Sequence, residues 1–473
     1  MFLRNIYDEE LAQAAYIIGC QQTGEALVID PERDIDRYRR IAAENSLEIV
    51  AVAETHIHAD FVSGAGEFAR DPRVTIYLSG HGGEDWSYRW PDGSTRVQYL
   101  TDGDTFMIGK VEIQAIHTPG HTPEHLSFRI TDLGGGADEP LAVVTGDFLF
   151  VGDVGRPDLL ESAAGVAGAM EPSARTLQES LAQRVAPLAD FIQVLPGHGA
   201  GSACGKALGA IPSSTIGYER RFNSALRLAE ADAESFVREI LSGQPEPPLY
   251  FKRMKQVNRD GIPVTGGPGV PERLPVEDFL ARAAEKGAVV LDGRADRHAF
   301  IAEHLPGSIC APLDGSSFSN AAGSFLSAEE AILLILERED QLDGAVRRLY
   351  RIGFDRVVGW IPFSELRDTG VPMRRLETVP FGAFDPAALP AETVVLDVRG
   401  ASEYDEGHVP EAKQIAYTRL AEHLGELPRS RRYCLYCASG RRATLAASFL
   451  ASRGYEVTLI DGSGDALFVR DVA

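Results

Sequence analysis

Four short apolar runs in the first 200 residues each end in a turn that carries histidine or aspartate. Leu47–Ala53 runs into Glu54-Thr-His-Ile-His-Ala-Asp-Phe61, and Val111–His117 into Thr118-Pro-Gly-His-Thr-Pro-Glu-His125. Leu141–Thr145 runs into Gly146-Asp147, and Phe191–Leu195 into Pro196-Gly-His198. Runs this short and apolar read as buried strands, and buried strands need covering layers on their faces. Helices are predicted at 34–45 and 174–185. A fold in which many loops meet at one sheet edge would bring these turns together. Seven of the eleven histidines lie in this part, which points metal or acid–base chemistry to the same edge.

The C-terminal half carries a repeat. Val289-Val-Leu-Asp-Gly-Arg294 is followed by Phe300-Ile-Ala-Glu-His-Leu-Pro-Gly307, and Val394-Val-Leu-Asp-Val-Arg399 by Tyr404-Asp-Glu-Gly-His-Val-Pro410. Such spacing predicts two copies of one α/β domain. The expected boundaries are a first domain at 1–245, a Pro/Gly-rich linker at 246–274, a middle domain at 275–370, a linker at 371–385 and a last domain at 386–473.

Composition narrows the function classes. A formal net charge of -23 disfavours nucleic acid and anionic membrane surfaces as partners. No apolar run approaches the roughly 18 residues of a membrane span, and the acidic start is unlike a signal peptide, so a cytoplasmic location is expected. Five scattered cysteines form no disulfide framework; a cysteine that matters here is reactive rather than structural.

The ordered set Thr-His-X-His-X-Asp, then His121, Asp147 and His198, resembles the metallo-β-lactamase fold, and within it glyoxalase II and the persulfide dioxygenases. The resemblance implies an αββα sandwich over residues 1 to about 245, with a metal at one edge. The hydrolases of that fold have a histidine directly after the aspartate; this chain has Phe61, which cannot ligate a metal. The resemblance to persulfide dioxygenases implies one Fe(II) held by His56, His121 and Asp147, a facial triad with open positions. His58, Asp60 and His198 are then expected to support those ligands by hydrogen bonds. The implied substrate is a low-molecular-weight thiol persulfide, carried on glutathione, coenzyme A or a similar thiol, oxidised by O₂ to sulfite. The alternative is a zinc-dependent thioester hydrolase of glyoxalase II type, working through a metal-bound hydroxide.

Arg156, in Gly152-Asp-Val-Gly-Arg-Pro-Asp158, matches a substrate-contacting arginine of the resembling dioxygenases; its other reading is an ion pair with Asp153 or Asp158. Lys206, Tyr218 and Arg220 lie in a hydroxyl-rich, basic stretch and are expected to contact an anion or the thiol carrier. Cys204 is a candidate sulfur shuttle or a small buried residue, and Cys20 a core residue.

Tyr433-Cys-Leu-Tyr-Cys437-Ala-Ser-Gly-Arg-Arg442 places a cysteine between a strand and a helix. Loop amides, the helix N-terminus and an arginine favour negative charge there. With Leu396-Asp-Val-Arg399 and Glu406-Gly-His-Val-Pro410, this stretch resembles rhodanese, whose loop is a cysteine, four residues and an arginine. The resemblance implies that Cys437 carries a persulfide and that the loop amides with Gly440, Arg441 and Arg442 hold the anion. Asp397 and Arg399 are expected to brace the loop, and Cys434 to be core. In the middle domain Glu337-Arg-Glu-Asp340 stands where the loop would be, so that copy is expected to be inactive. The order of domains resembles a bacterial fusion that detoxifies sulfide-derived persulfides: the first site makes sulfite, and Cys437 transfers sulfur to sulfite to form thiosulfate. A homo-oligomer is expected. A sulfur-sensing scaffold with vestigial sites is the remaining class, disfavoured by the complete motifs.

Overall fold

The computed structural model describes residues 1–162, 168–206 and 208–462. Two compact units emerge. One is Met1–Pro247 with Phe251–Gly267, and the other is Pro248–Tyr250 with the chain from Pro268 onward.

In the first unit, one six-stranded sheet takes its strands in chain order: Phe2–Asp8, Gln13–Cys20, Glu25–Ile29, Glu48–Ala53, Thr75–Ser79 and Val97–Leu100. The second sheet runs Ser214–Thr215, Gln193–Pro196, Ala142–Gly146, Leu126–Asp132, Val111–His117 and Thr105–Ile108 across its width. Tyr16, Ile18, Leu27, Phe128, Ile130 and Val144 pack between the sheets. Tyr38 and Phe68 cover the outer side of the first sheet, and Leu177 and Leu181 that of the second. Both faces of the inner strands are thus covered, which is why Gln13–Cys20 is buried along its whole length rather than alternately. This is the αββα sandwich of the metallo-β-lactamase fold.

The second unit holds two parallel sheets. The first, of four strands, runs Ile309–Cys310, Ala288–Asp292, Ala331–Leu336 and Val357–Pro362. The second, of five, runs Glu377–Pro380, Glu456–Asp461, Arg432–Tyr436, Thr393–Asp397 and Lys413–Gln414. The sequence repeat becomes a repeat of contacts. Arg294 clasps Asp292 and bonds the Glu303 carbonyl at 2.7 Å; Arg399 clasps Asp397 and bonds the Gly407 carbonyl at 2.7 Å. His304 stacks on Phe300 and His408 on Tyr404, with ring centroids 4.3 and 3.6 Å apart.

Both expected linkers are shorter than the sequence suggested. Within 246–274, Tyr250–Asp260 is a helix with Phe251 and Met254 buried, and all of it but Tyr250 belongs to the first unit. The Pro and Gly residues around it mark its ends, and none lies inside it. Within 371–385, Glu377–Pro380 is the edge strand of the last sheet. No helix among the described residues is long and apolar enough to cross a membrane.

Candidate metal centre and sulfur-transfer loop

The four strand-end turns do converge. His56, His121 and Asp147, all buried, place one ligand atom each within 4.8 Å of the others. Gly146 makes the bend before Asp147: its φ is +49°, and a Cβ there would fall on Thr55 Oγ1 and His125 Nε2. His125 accepts the Asp147 N–H at 3.0 Å and so fixes the start of that turn.

Hydrogen bonds decide which ring nitrogens are available. The Thr55 hydroxyl donates to Asp30 at 2.8 Å, so its oxygen accepts the His56 Nδ1–H at 2.9 Å. His121 Nδ1–H donates to the Arg156 carbonyl at 3.0 Å, and His198 Nδ1–H to the Ala12 carbonyl at 3.1 Å. All three rings therefore present a bare Nε2 to the cluster. His121 Nε2 lies 3.6 Å from one Asp147 oxygen, and His198 Nε2 lies 3.5 Å from the other. Neither Asp147 oxygen has a hydrogen-bond partner among the described residues. Lone pairs aimed at a buried, unpartnered carboxylate fit a cation held between them. Burial, with the neighbouring imidazoles, holds His56 well below the usual histidine range, and burial lowers His121 too; both rings are neutral ligands.

His58 turns away from this cluster. It lies 3.1 Å from Asp30 and 3.3 Å from Glu54, with its ring 4.4 Å from that of Phe61. Burial opposes its charge, but the two carboxylates prevail and hold His58 well above the ordinary imidazole range. Asp30, Glu54 and His58 thus form a set of their own, apart from the ligand cluster. Asp60 and His198 face each other at 3.3 Å and, with Cys204, form a second set whose ligand atoms lie within 4.8 Å of one another. Burial, then Asp60 and Asp147, push the Cys204 thiol well above the ordinary range, so without a cation beside it the sulfur keeps its proton.

The basic residues expected to grip substrate are engaged elsewhere. Arg156 is buried, pairs with both Asp158 oxygens at 2.8 and 2.6 Å, and bonds the carbonyls of Ala203 and Pro245. Its own carbonyl orients His121, so it supports the ligand frame from behind. Arg156→Ala removes a buried guanidinium together with its bidentate pair to Asp158 and its bonds to the Ala203 and Pro245 carbonyls; a loss of about 3–5 kcal/mol is expected in urea unfolding. Unchanged stability would return the arginine to a substrate role. Lys206 bonds Glu239 and the Ser242 carbonyl, closing the end of helix Ala233–Leu241. Arg220 pairs with Asp190 and bonds the carbonyls of Val185, Ala186 and Leu188. Tyr218 is 39% exposed, against Phe222. Helix ends and charge pairs satisfy these basic side chains without any ligand, and for Arg156 the observed partner is the Asp158 of its alternative reading.

In the last domain the strand Arg432–Tyr436 delivers buried Cys437 to a turn that ends sooner than expected. The helix starts at Arg441, so Arg442 sits in its first turn. Gly440 holds φ +80°, a left-handed conformation that suits only glycine well. Arg442 is bidentate to Glu403 at 2.5 and 2.7 Å, and Arg441 pairs with Asp314. Arg297 of the middle domain bonds Asp461 at 2.8 Å, Thr444 at 3.3 Å and the Ser439 carbonyl at 3.3 Å. The middle copy thus contributes side chains to the loop of the last, which its own lost loop concealed. Burial pushes the Tyr417 phenol, beside Cys437 and Arg442, up to about 12.

A crystal structure of a metallo-β-lactamase from Staphylococcus aureus aligns at 39% identity and TM-score 0.69, covering 76% of this chain and 99% of that one. The chain belongs to the metallo-β-lactamase superfamily. The superfamily model matches residues 8–198, and a rhodanese-like domain model matches 387–467. The mitochondrial persulfide dioxygenase of Bos taurus is 24% identical over 242 residues, covering 50% of this chain and 80% of that protein. A probable hydroxyacylglutathione hydrolase of Schizosaccharomyces pombe is 32% identical over 146 residues, covering 30% and 51%. This superfamily member therefore combines a metallo-hydrolase fold and candidate metal sites with a rhodanese-like domain in one chain.

Proposed function

We propose that the chain oxidises a low-molecular-weight thiol persulfide at His56, His121 and Asp147, and transfers persulfide sulfur to sulfite through Cys437. The observation that carries this reading is the donor set. Two neutral imidazoles and one carboxylate converge, Phe61 stands in the position of a second-metal histidine, and His58 is turned to Asp30 and Glu54. Ferrous iron suits such a set and, when bound, supplies O₂ activation at open coordination positions. The net reaction takes persulfide, O₂ and water to thiol and sulfite. Thr55 and the Arg156 carbonyl hold the two rings in their metal-competent tautomers, and burial of the cluster limits access of bulk water.

At the second site the Cys437 thiolate attacks the outer sulfur of a persulfide. The S–S bond breaks, and the carrier leaves as thiol. Sulfite then attacks the outer sulfur now on Cys437; thiosulfate forms and the thiolate returns. No external oxidant or reductant is consumed in the transfer. The loop amides, with Arg441 and Arg442, stabilise the anions. Fusion keeps sulfite production and sulfite use in one molecule.

The cluster of Asp60, His198 and Cys204 favours a second reading, a zinc-dependent thioester hydrolase with two metals. Anaerobically purified protein loaded with Fe(II) or with Zn(II) separates the two. We expect O₂ uptake with glutathione or coenzyme A persulfide from the iron form alone. No uptake at confirmed iron occupancy, with zinc-dependent thioester hydrolysis, would overturn the oxidation reading.

A further inference from the structure

We propose that Lys255 anchors an anionic group of the thiol carrier beside the metal centre, an inference that takes only its substrate class from the reading above. A cleft beside the ligand cluster is lined by Ile57, Trp86, His121, Leu160, Phe251 and Lys255, among others. His121, one of the three candidate ligands, also lines this cleft. Its walls are apolar apart from His121, Thr122 and Lys255, and the ammonium is its one cationic group among the described residues.

Helical geometry and side-chain bonds fix that ammonium in place. Phe251 and Lys255 are four residues apart on helix Tyr250–Asp260 and so share a face. Asn258 of the same helix donates to the carbonyls of His58 and Phe61 at 2.8 and 2.7 Å. The helix is thereby tied to the turn that carries His56. Lys255 Nζ sits 3.6 Å from the centroid of the Trp86 ring, a cation–π contact that restrains the long side chain.

Lys255 has no ion pair among the described residues, unlike Arg156, Lys206 and Arg220. Glu124 and Asp85 are near enough to influence it, but neither forms an ion pair with it among the described residues; one Glu124 oxygen accepts the Ile57 N–H at 2.8 Å, and the other has no hydrogen-bond partner there. Burial holds the Lys255 ammonium below the ordinary lysine range, a cost that an incoming anion would relieve. A half-buried ammonium that forms no ion pair among the described residues, and whose wall is otherwise largely apolar, is placed for an anionic ligand. An ammonium is a compact charge with three donors and accepts either a carboxylate or a phosphate. The ligand class is therefore a thiol with an anionic group at the far end of its stem, which both glutathione and coenzyme A provide.

The test uses unreactive thioethers and the full chain. Binding of S-methylglutathione, S-methyl-coenzyme A and neutral S-methylpantetheine is measured by calorimetry for wild type, Lys255→Gln and Lys255→Arg. Lys255→Gln is expected to weaken one or both anionic ligands by about tenfold or more, with a much smaller change for the neutral one. Lys255→Arg should recover most of the loss. With the matching persulfides the loss should appear in KM rather than kcat. Equal weakening of all three ligands, no weakening, or no binding of either anionic thioether by wild type would overturn the anchor. Charge-dependent binding without any O₂ uptake would leave the anchor standing and sink the persulfide reading instead.

Discussion

Cys437→Ser is expected to cut thiosulfate formation from persulfide and sulfite on the order of a thousandfold or more, while O₂ uptake continues and sulfite accumulates. The expectation rests on chemistry that only sulfur supplies. A serine hydroxyl in the same turn has a far higher pKa and cannot hold a persulfide. The substitution is nearly isosteric and the residue is buried, so the loop, with Gly440 at φ +80° and Arg442 clasped by Glu403, should persist. Melting temperature checks the fold, and product analysis by thiol-reactive labelling and chromatography checks the chemistry. Thiosulfate at the wild-type rate in the serine variant would move sulfur transfer away from the last domain, with Cys204 the next residue to test. Arg442→Ala is a weaker probe, since it also strands Glu403.

Asp147→Asn is expected to split metal binding from stability. Both Asp147 oxygens are buried without hydrogen-bond partners and lie opposite bare imidazole nitrogens. A carboxylate in that setting destabilises the metal-free fold, because burial without a partner is costly. The neutral amide can donate to His198 or Asp60, so metal-free Asp147→Asn should melt no lower than metal-free wild type. With Fe(II) present, wild type should gain stability by ligand linkage and the variant should not. Loss of one ligand should weaken metal binding at least about a hundredfold, since changes that merely unsettle a ligand already cost 10–100-fold. O₂ uptake should fall with occupancy. A variant that melts well below wild type without metal, and binds iron as tightly, would show that Asp147 serves the fold rather than a cation.

Together these experiments divide the chain's chemistry between its two sites. Asp147→Asn should stop sulfite production yet leave transfer from added sulfite, and Cys437→Ser should do the reverse. Such a pattern would be hard to reconcile with a single hydrolytic activity.

Local sequence determined the elements that chemistry must stand on. Apolar strands ending at His56, His121, Asp147 and His198 were legible because strand period and turn residues are local signals, and their convergence follows from a layered sheet with one loop-bearing edge. The same holds for Cys437, whose strand, glycine and helix start lie within one short stretch, and for the Asp292–Arg294 and Asp397–Arg399 pairs, repeated two residues apart. Tertiary structure alone decided which polar groups were free. Whether Arg156, Lys206 or Arg220 faces a ligand depends on which carboxylates and helix-end carbonyls reach it, and those come from residues 2 to 89 positions away in the chain. The tautomers of His56, His121 and His198 depend likewise on Thr55, Arg156 and Ala12. Lys255 was hidden for the opposite reason: proline and glycine on either side of its helix look like a linker, and only packing against Trp86 and the His58–Phe61 turn makes that helix a wall of the site. A side chain's type is written in the sequence, but its availability is set by the partners that folding brings within hydrogen-bond reach.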